Sequence, residues 1–151
     1  MISGDSPASL ASARTFSRSC SGVRCGTPAR VFFFSEASLA HETACALRDS
    51  GDMAGAAEQF QLSVRKRKAT TFTRTHAVTL GYLGTVQARS GELEQACATW
   101  TSALDAMDGV RSGRTRNVAR EIRATVAPYR HLAGVSEIGE RAADYLAASG
   151  M

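Results

Sequence analysis

The sequence predicts an all-α fold, a short α-solenoid of about three helix pairs, and three observations carry that expectation. Alanine is plentiful while aromatic residues make up 7% of the 151 positions, a balance that suits closely packed helices better than strands. Only three prolines occur, two of them at Pro7 and Pro28, so the later chain can run as helices with few forced breaks. The third observation is an internal repeat. Gly51 recurs as Gly91, an offset of 40 residues, and the residues around each follow the same order.

Residues 1–34 are read as an irregular, disordered leader. Serine, glycine and arginine are mixed there without a sustained period of 3.6 or 2. The stretch is poor in acids and superficially matches an organelle transit peptide, but a poorly structured leader explains the same composition. Phe32, Phe33 and Phe34 then form a small apolar cluster, and Ser35 is the expected N-cap of the first helix. The helical domain is placed at 35–148.

In the first unit, Ala40, Ala44 and Leu47 make one apolar stripe; in the second, Leu80, Leu83, Gly84 and Gln87 make its counterpart. Gly51 and Gly91 stand where each first helix should end, because glycine tolerates the left-handed conformation that closes a helix. Asp52 and Glu92 follow as carboxylates suited to the next N-terminus. One turn on, Ala56 and Ala96 allow close helix approach. Phe60 and Trp100 lie four residues further and should be buried at equivalent places between helix pairs. An insertion around 70–75 accounts for the long offset. A third, degenerate pair is expected from Val118, Ile122, Val126 and Tyr129, ended near Pro128, and from Val135, Ile138, Ala142, Tyr145 and Leu146 after a turn at Gly134.

Leu83-Gly84, Gly91, Ala96, Trp100 and Ala103 resemble the tetratricopeptide (TPR) pattern, whose usual period is about 34 residues. Longer segments are similar to the C-terminal TPR-type region of actinobacterial helix-turn-helix transcriptional regulators. They are Ala40-His41-Glu42-Thr43-Ala44, Leu47-Arg48-Asp49-Ser50-Gly51-Asp52, Ala57-Glu58-Gln59-Phe60, Arg74-Thr75-His76-Ala77, Gly91-Glu92-Leu93-Glu94-Gln95-Ala96-Cys97 and Val110-Arg111-Ser112-Gly113-Arg114-Thr115. The resemblance covers the repeats and implies a protein or peptide interaction module in a regulatory setting. Its alternative is the ligand-sensing or assembly half of a regulator that meets DNA only through a further domain. Residues 1–30 are too few and too irregular for such a domain, so direct nucleic-acid binding is not expected of this chain alone.

The net charge of +4 is too small to imply nucleic acid or an anionic membrane. Arg65-Lys66-Arg67-Lys68 should close a helix, where cations contribute about 0.3–1 kcal/mol against the negative terminus. Arg111, Arg114, Arg116, Arg120 and Arg123 surround the turn into the third pair, with no interleaved aromatics to stack bases. No apolar run is long enough to span a bilayer, and 1–12 lack the basic start and apolar core of a secretory signal. Cys20, Cys25, Cys45 and Cys97 form no CxxC pair, which argues against a disulfide framework and for a reducing, cytoplasmic setting.

An enzyme is the weakest reading. No GxSxG, HExxH, P-loop or GxGxxG occurs, so no catalytic residue is assigned. His41 and Cys45 lie four apart on one helix and can face one ion, yet two ligands do not make a closed site; no metal and no cofactor are expected. The functional surface is instead placed on the first helix of each pair, which lines the concave face of TPR stacks. By spacing, that groove holds His41, Cys45, Arg48, Val78, Thr85 and Arg89, with Arg48 and Arg89 positioned to pair with an acidic peptide. Val135, Ile138 and Leu146 are candidates for a second contact, capping the chain's own core or meeting another subunit.

Overall fold

The computed structural model describes residues 35–150, which form six α-helices; no strand occurs among the described residues. They are α1 (Glu36–Ser50), α2 (Met53–Lys66), α3 (Thr73–Arg89), α4 (Leu93–Met107), α5 (Gly113–Val126) and α6 (Ala133–Ser149). A 3-10 turn, Ala127–Tyr129, follows α5. The expectations for 1–34, including Cys20, Cys25 and the phenylalanine cluster, lie outside the described residues. None of the described helices is long and apolar enough to cross a membrane.

The local signals do what their chemistry requires. Ser35 caps α1, its hydroxyl accepting from Ser38 N–H at 3.2 Å. Gly51 and Gly91 take φ of 93° and 87°, and each first helix closes there on backbone carbonyls one turn back. Asp52 caps α2 through Gly55 N–H at 2.9 Å, whereas Glu92 makes no side-chain cap and acts on α4 only as a charge near its N-terminus.

Consecutive helices fold back as three antiparallel pairs. Ser63 Oγ and Arg67 Nη2 both donate to the Ala37 carbonyl, tying the end of α2 to the start of α1. Arg116 reaches the Ser149 carbonyl, doing the same for α5 and α6. Helix α3 packs against α2, α4 and α5, and α4 against α6, so the middle pair holds the outer two.

Two apolar clusters fill the interior. The larger runs through α3–α6 around Trp100, Met107, Ile122 and Ile138; the smaller joins α1, α2 and α3 around Phe60, Ala44, Leu83 and Val86. Phe60 and Trp100 are fully buried, one in each cluster. Trp100 lies over Gly84, where a methyl group would meet the indole ring, and its Nε1–H donates to the Gly81 carbonyl at 3.3 Å. Gly81 in turn receives Val118 of α5. These two glycines set how closely α3 approaches both neighbours.

Two boundaries depart from expectation. Gly134 is not a turn: it lies in the first turn of α6, and the chain reverses through the 3-10 turn and Leu132, whose N–H bonds to Tyr129 O at 3.0 Å. Pro128 explains the shift, because it cannot supply the N–H that α5 would need to continue. The irregular segment after α2 is 67–72, and Thr73–Thr75 already belong to α3. A third left-handed glycine, Gly109 at φ 70°, turns the chain between α4 and α5.

Candidate functional site

Helices α1, α3 and α5 bring their side chains together along one face. The residues come from one stripe on each helix, as spacing by three and four requires. His41, Cys45 and Arg48 supply the α1 stripe, and Val78, Tyr82 and Arg89 the α3 stripe. Helix α5 contributes its N-terminal turn and Glu121.

A cleft of about 480 Å³ opens on this face, lined by His41, Arg74, Thr75, Val78, Ser112, Gly113 and Arg114. Every lining residue belongs to α1, α3 or the start of α5; the second helices of the pairs contribute none. Ser112 caps α5 by accepting from Thr115 N–H at 3.1 Å, so the positive end of that helix faces the cleft. Arg74 and Arg114 are exposed, and neither has a carboxylate partner among the described residues.

Further along the face the charges are matched. Arg48 pairs with Asp49 at 3.0 Å, and its guanidinium lies 5.0 Å from the centre of the Tyr82 ring. Arg89 stands 3.9 Å from Glu121 of α5. Such exposed pairs contribute about 0–1 kcal/mol, so their value here is positional.

His41 is held from several sides. It is buried between Phe60 and Tyr82, with ring centroids at 5.7 Å and 5.9 Å. Its Nδ1 meets Thr79 Oγ1 at 3.0 Å and its Nε2 meets Cys45 Sγ at 3.8 Å. Burial lowers its pKa from the ordinary 6.5, with Arg67, Arg114 and Arg48 acting in the same direction and Glu42 against them. Burial likewise pushes the Cys45 thiol and the Tyr82 phenol up. The imidazole and the thiol are therefore both neutral near pH 7.

Of the residues expected in the groove, His41 and the buried Val78 line the cleft; Cys45 lies beside His41, and Arg48 and Arg89 stand further along the face, outside the cleft lining. Thr85 does not reach the open face. It is 1% exposed and donates to the Gly81 carbonyl, because it shares the face of α3 on which α5 packs. Val135 and Ile138 are buried in the chain's own core and Leu146 is half-buried beside it, so these side chains serve intramolecular packing.

No family model matches the chain, and neither a curated protein nor a solved structure is detectably similar to it. The site therefore has to be read from its own geometry. Sequence reasoning missed several contributors: Tyr82 and Glu121 on the face, and Arg74, Thr75, Ser112, Gly113 and Arg114 in the cleft lining. Tyr82 lies on the stripe of Val78 and Arg89 and was accessible to the same spacing argument. Arg74 continues that stripe four residues before Val78 and was accessible in the same way; Arg114 was harder, because it reaches the cleft only through the packing of α5 against α3.

Proposed function

We propose that the chain is a TPR-like interaction module that holds an acidic segment of a partner protein against α1, α3 and α5. One observation carries this reading: the cleft draws its lining only from the first helix of each pair, and its two exposed arginines lack acidic partners among the described residues. Three antiparallel pairs in sequence, with α3 touching α5 and α4 touching α6, support a solenoid-like stacking. A parallel run of first helices then offers a continuous wall to an extended peptide, and Arg74 and Arg114 offer two planar forks for carboxylates. The resemblance of the repeats to those of transcriptional regulators supports a regulatory setting.

The test is binding of fluorescent acid-rich peptides to the full chain and to Arg74→Glu/Arg114→Glu. Loss in that double variant, with full binding retained by Arg123→Glu on the far side of α5, is the expected result. Equal binding by all three proteins would remove the cleft from the reading. Tight, salt-resistant binding of duplex DNA would replace the peptide with nucleic acid.

A further inference from the structure

His41 and Cys45 are linked by more than their spacing on α1. The single Thr79 hydroxyl proton is given to the Thr75 carbonyl at 2.8 Å, so Thr79 Oγ1 can only accept from His41 Nδ1–H, at 3.0 Å. The proton of the neutral ring is thereby assigned to Nδ1. Nε2 carries the free lone pair, and it is Nε2 that faces Cys45 Sγ, 3.8 Å away. A metal-binding imidazole is oriented in this manner, its other nitrogen donating to a fixed oxygen that sets tautomer and ring angle. Phe60 and Tyr82 hold the ring on both sides.

We propose that His41 and Cys45 form an open, two-donor site for a univalent thiophilic ion, Cu(I), on α1 at the edge of the cleft that His41 lines. At metal–donor distances of about 2.0–2.3 Å, two donors this far apart subtend about 120° at the ion, a trigonal arrangement with one position left to an exogenous donor. The described residues contain no group of three or more His, Cys, Asp or Glu placed to hold an ion, so a closed zinc site is not available there.

Charge and softness then choose the ion. Arg48 and Arg114 bear on both donors and Arg67 on His41, opposed by Glu42 at both donors and by Asp49 at Cys45. Three arginines against two carboxylates leave a small positive excess, so a thiolate and a univalent ion, together neutral, fit there better than a dication, which keeps a net positive charge beside the arginines. Thiolate is also a soft donor that suits Cu(I), and two protein donors fall short of the four that a structural zinc takes. On binding, Cu(I) takes the place of the thiol proton, which leaves to solvent; a copper–sulfur bond replaces the S–H bond and no oxidation state changes. This inference stands independently of peptide binding.

The experiment is an anaerobic Cu(I) titration of the full chain against a coloured competing chelator, with Cys20, Cys25 and Cys97 changed to serine. One Cu(I) per chain is expected, with one sulfur and one imidazole nitrogen in its X-ray absorption spectrum. Cys45→Ser should abolish uptake. Thr79→Val, which keeps the side-chain shape but removes the acceptor for Nδ1–H, should weaken it about 10–100-fold while the helical circular dichroism is retained. No uptake, undiminished uptake by Cys45→Ser, unchanged affinity in Thr79→Val, or tighter binding of Zn(II) than of Cu(I) would each overturn the site.

Discussion

Trp100 and Gly84 are one packing decision written at two positions. The indole fits only because residue 84 lacks a side chain, and it brings an N–H that must find the Gly81 carbonyl. Trp100→Ala should therefore cost about 3–5 kcal/mol, and Gly84→Ala about 1–3 kcal/mol from the opposite error of overfilling. Urea denaturation measures both; a neutral Gly84→Ala would mean that the indole can move aside. The histidines define a second residue-scale effect. Burial lowers the pKa of His41 and of His76 from 6.5, so the unfolded chain binds more protons than the folded one as the solution turns acidic. Their contribution is fully present above the unfolded value and is lost as pH falls through the folded values. The urea midpoint should accordingly drop between about pH 7 and pH 5, and the drop should shrink in His41→Gln.

At the scale of elements, the helix pairs were legible because each turn is signalled locally. A glycine forced to positive φ, a carboxylate after it and an alanine one turn on are all short-range features, and they recur at Gly51 and Gly91. The third pair was less legible because its reversal uses different chemistry, a proline-terminated helix and a 3-10 turn, which left Gly134 as a false marker. Alanine substitution separates the two kinds of glycine. Gly91→Ala meets open space but an unfavourable φ of 87°, and should cost about 1–2 kcal/mol. Gly134→Ala also meets open space, in ordinary helical backbone, and should stabilise by about 0.4–1 kcal/mol. Thermal melts of the two variants should shift in opposite directions. The candidate site was legible only where it follows an apolar stripe: His41, Cys45 and Arg48 could be placed on one line of α1. That α5 packs on the face of α3 that carries Thr85, and that Arg74 and Arg114 line one cleft, depends on contacts between helices distant in sequence, which spacing within a helix does not encode.

On the scale of the whole molecule, the two apolar clusters meet along α3, and Tyr82 is packed against both. The cleft straddles that meeting line: His41 belongs to the first pair, while Arg74 and Arg114 belong to the helices behind it. The smaller cluster holds α1 and α2 to α3 through few large side chains, chiefly Phe60 and Leu83. The first pair is therefore the cooperative unit that should detach at lower free energy than the rest, and its amides should exchange with deuterium faster than those of α3 and α4. Whatever occupies the cleft touches both sides of the line, and so can bind only while the first pair is docked. Occupancy should then slow exchange throughout α1 and α2, including amides on α2 that no ligand reaches, while leaving α4 and α6 nearly unchanged. Hydrogen exchange with and without an acidic peptide measures this directly, and uniform protection of all six helices would show that the molecule opens as one body. In that light the seam between the two cores is a reporter: the chain couples recognition to the closing of its own first hairpin, and ligand affinity becomes adjustable by substitutions around Phe60, which is fully buried behind His41 and touches no ligand itself.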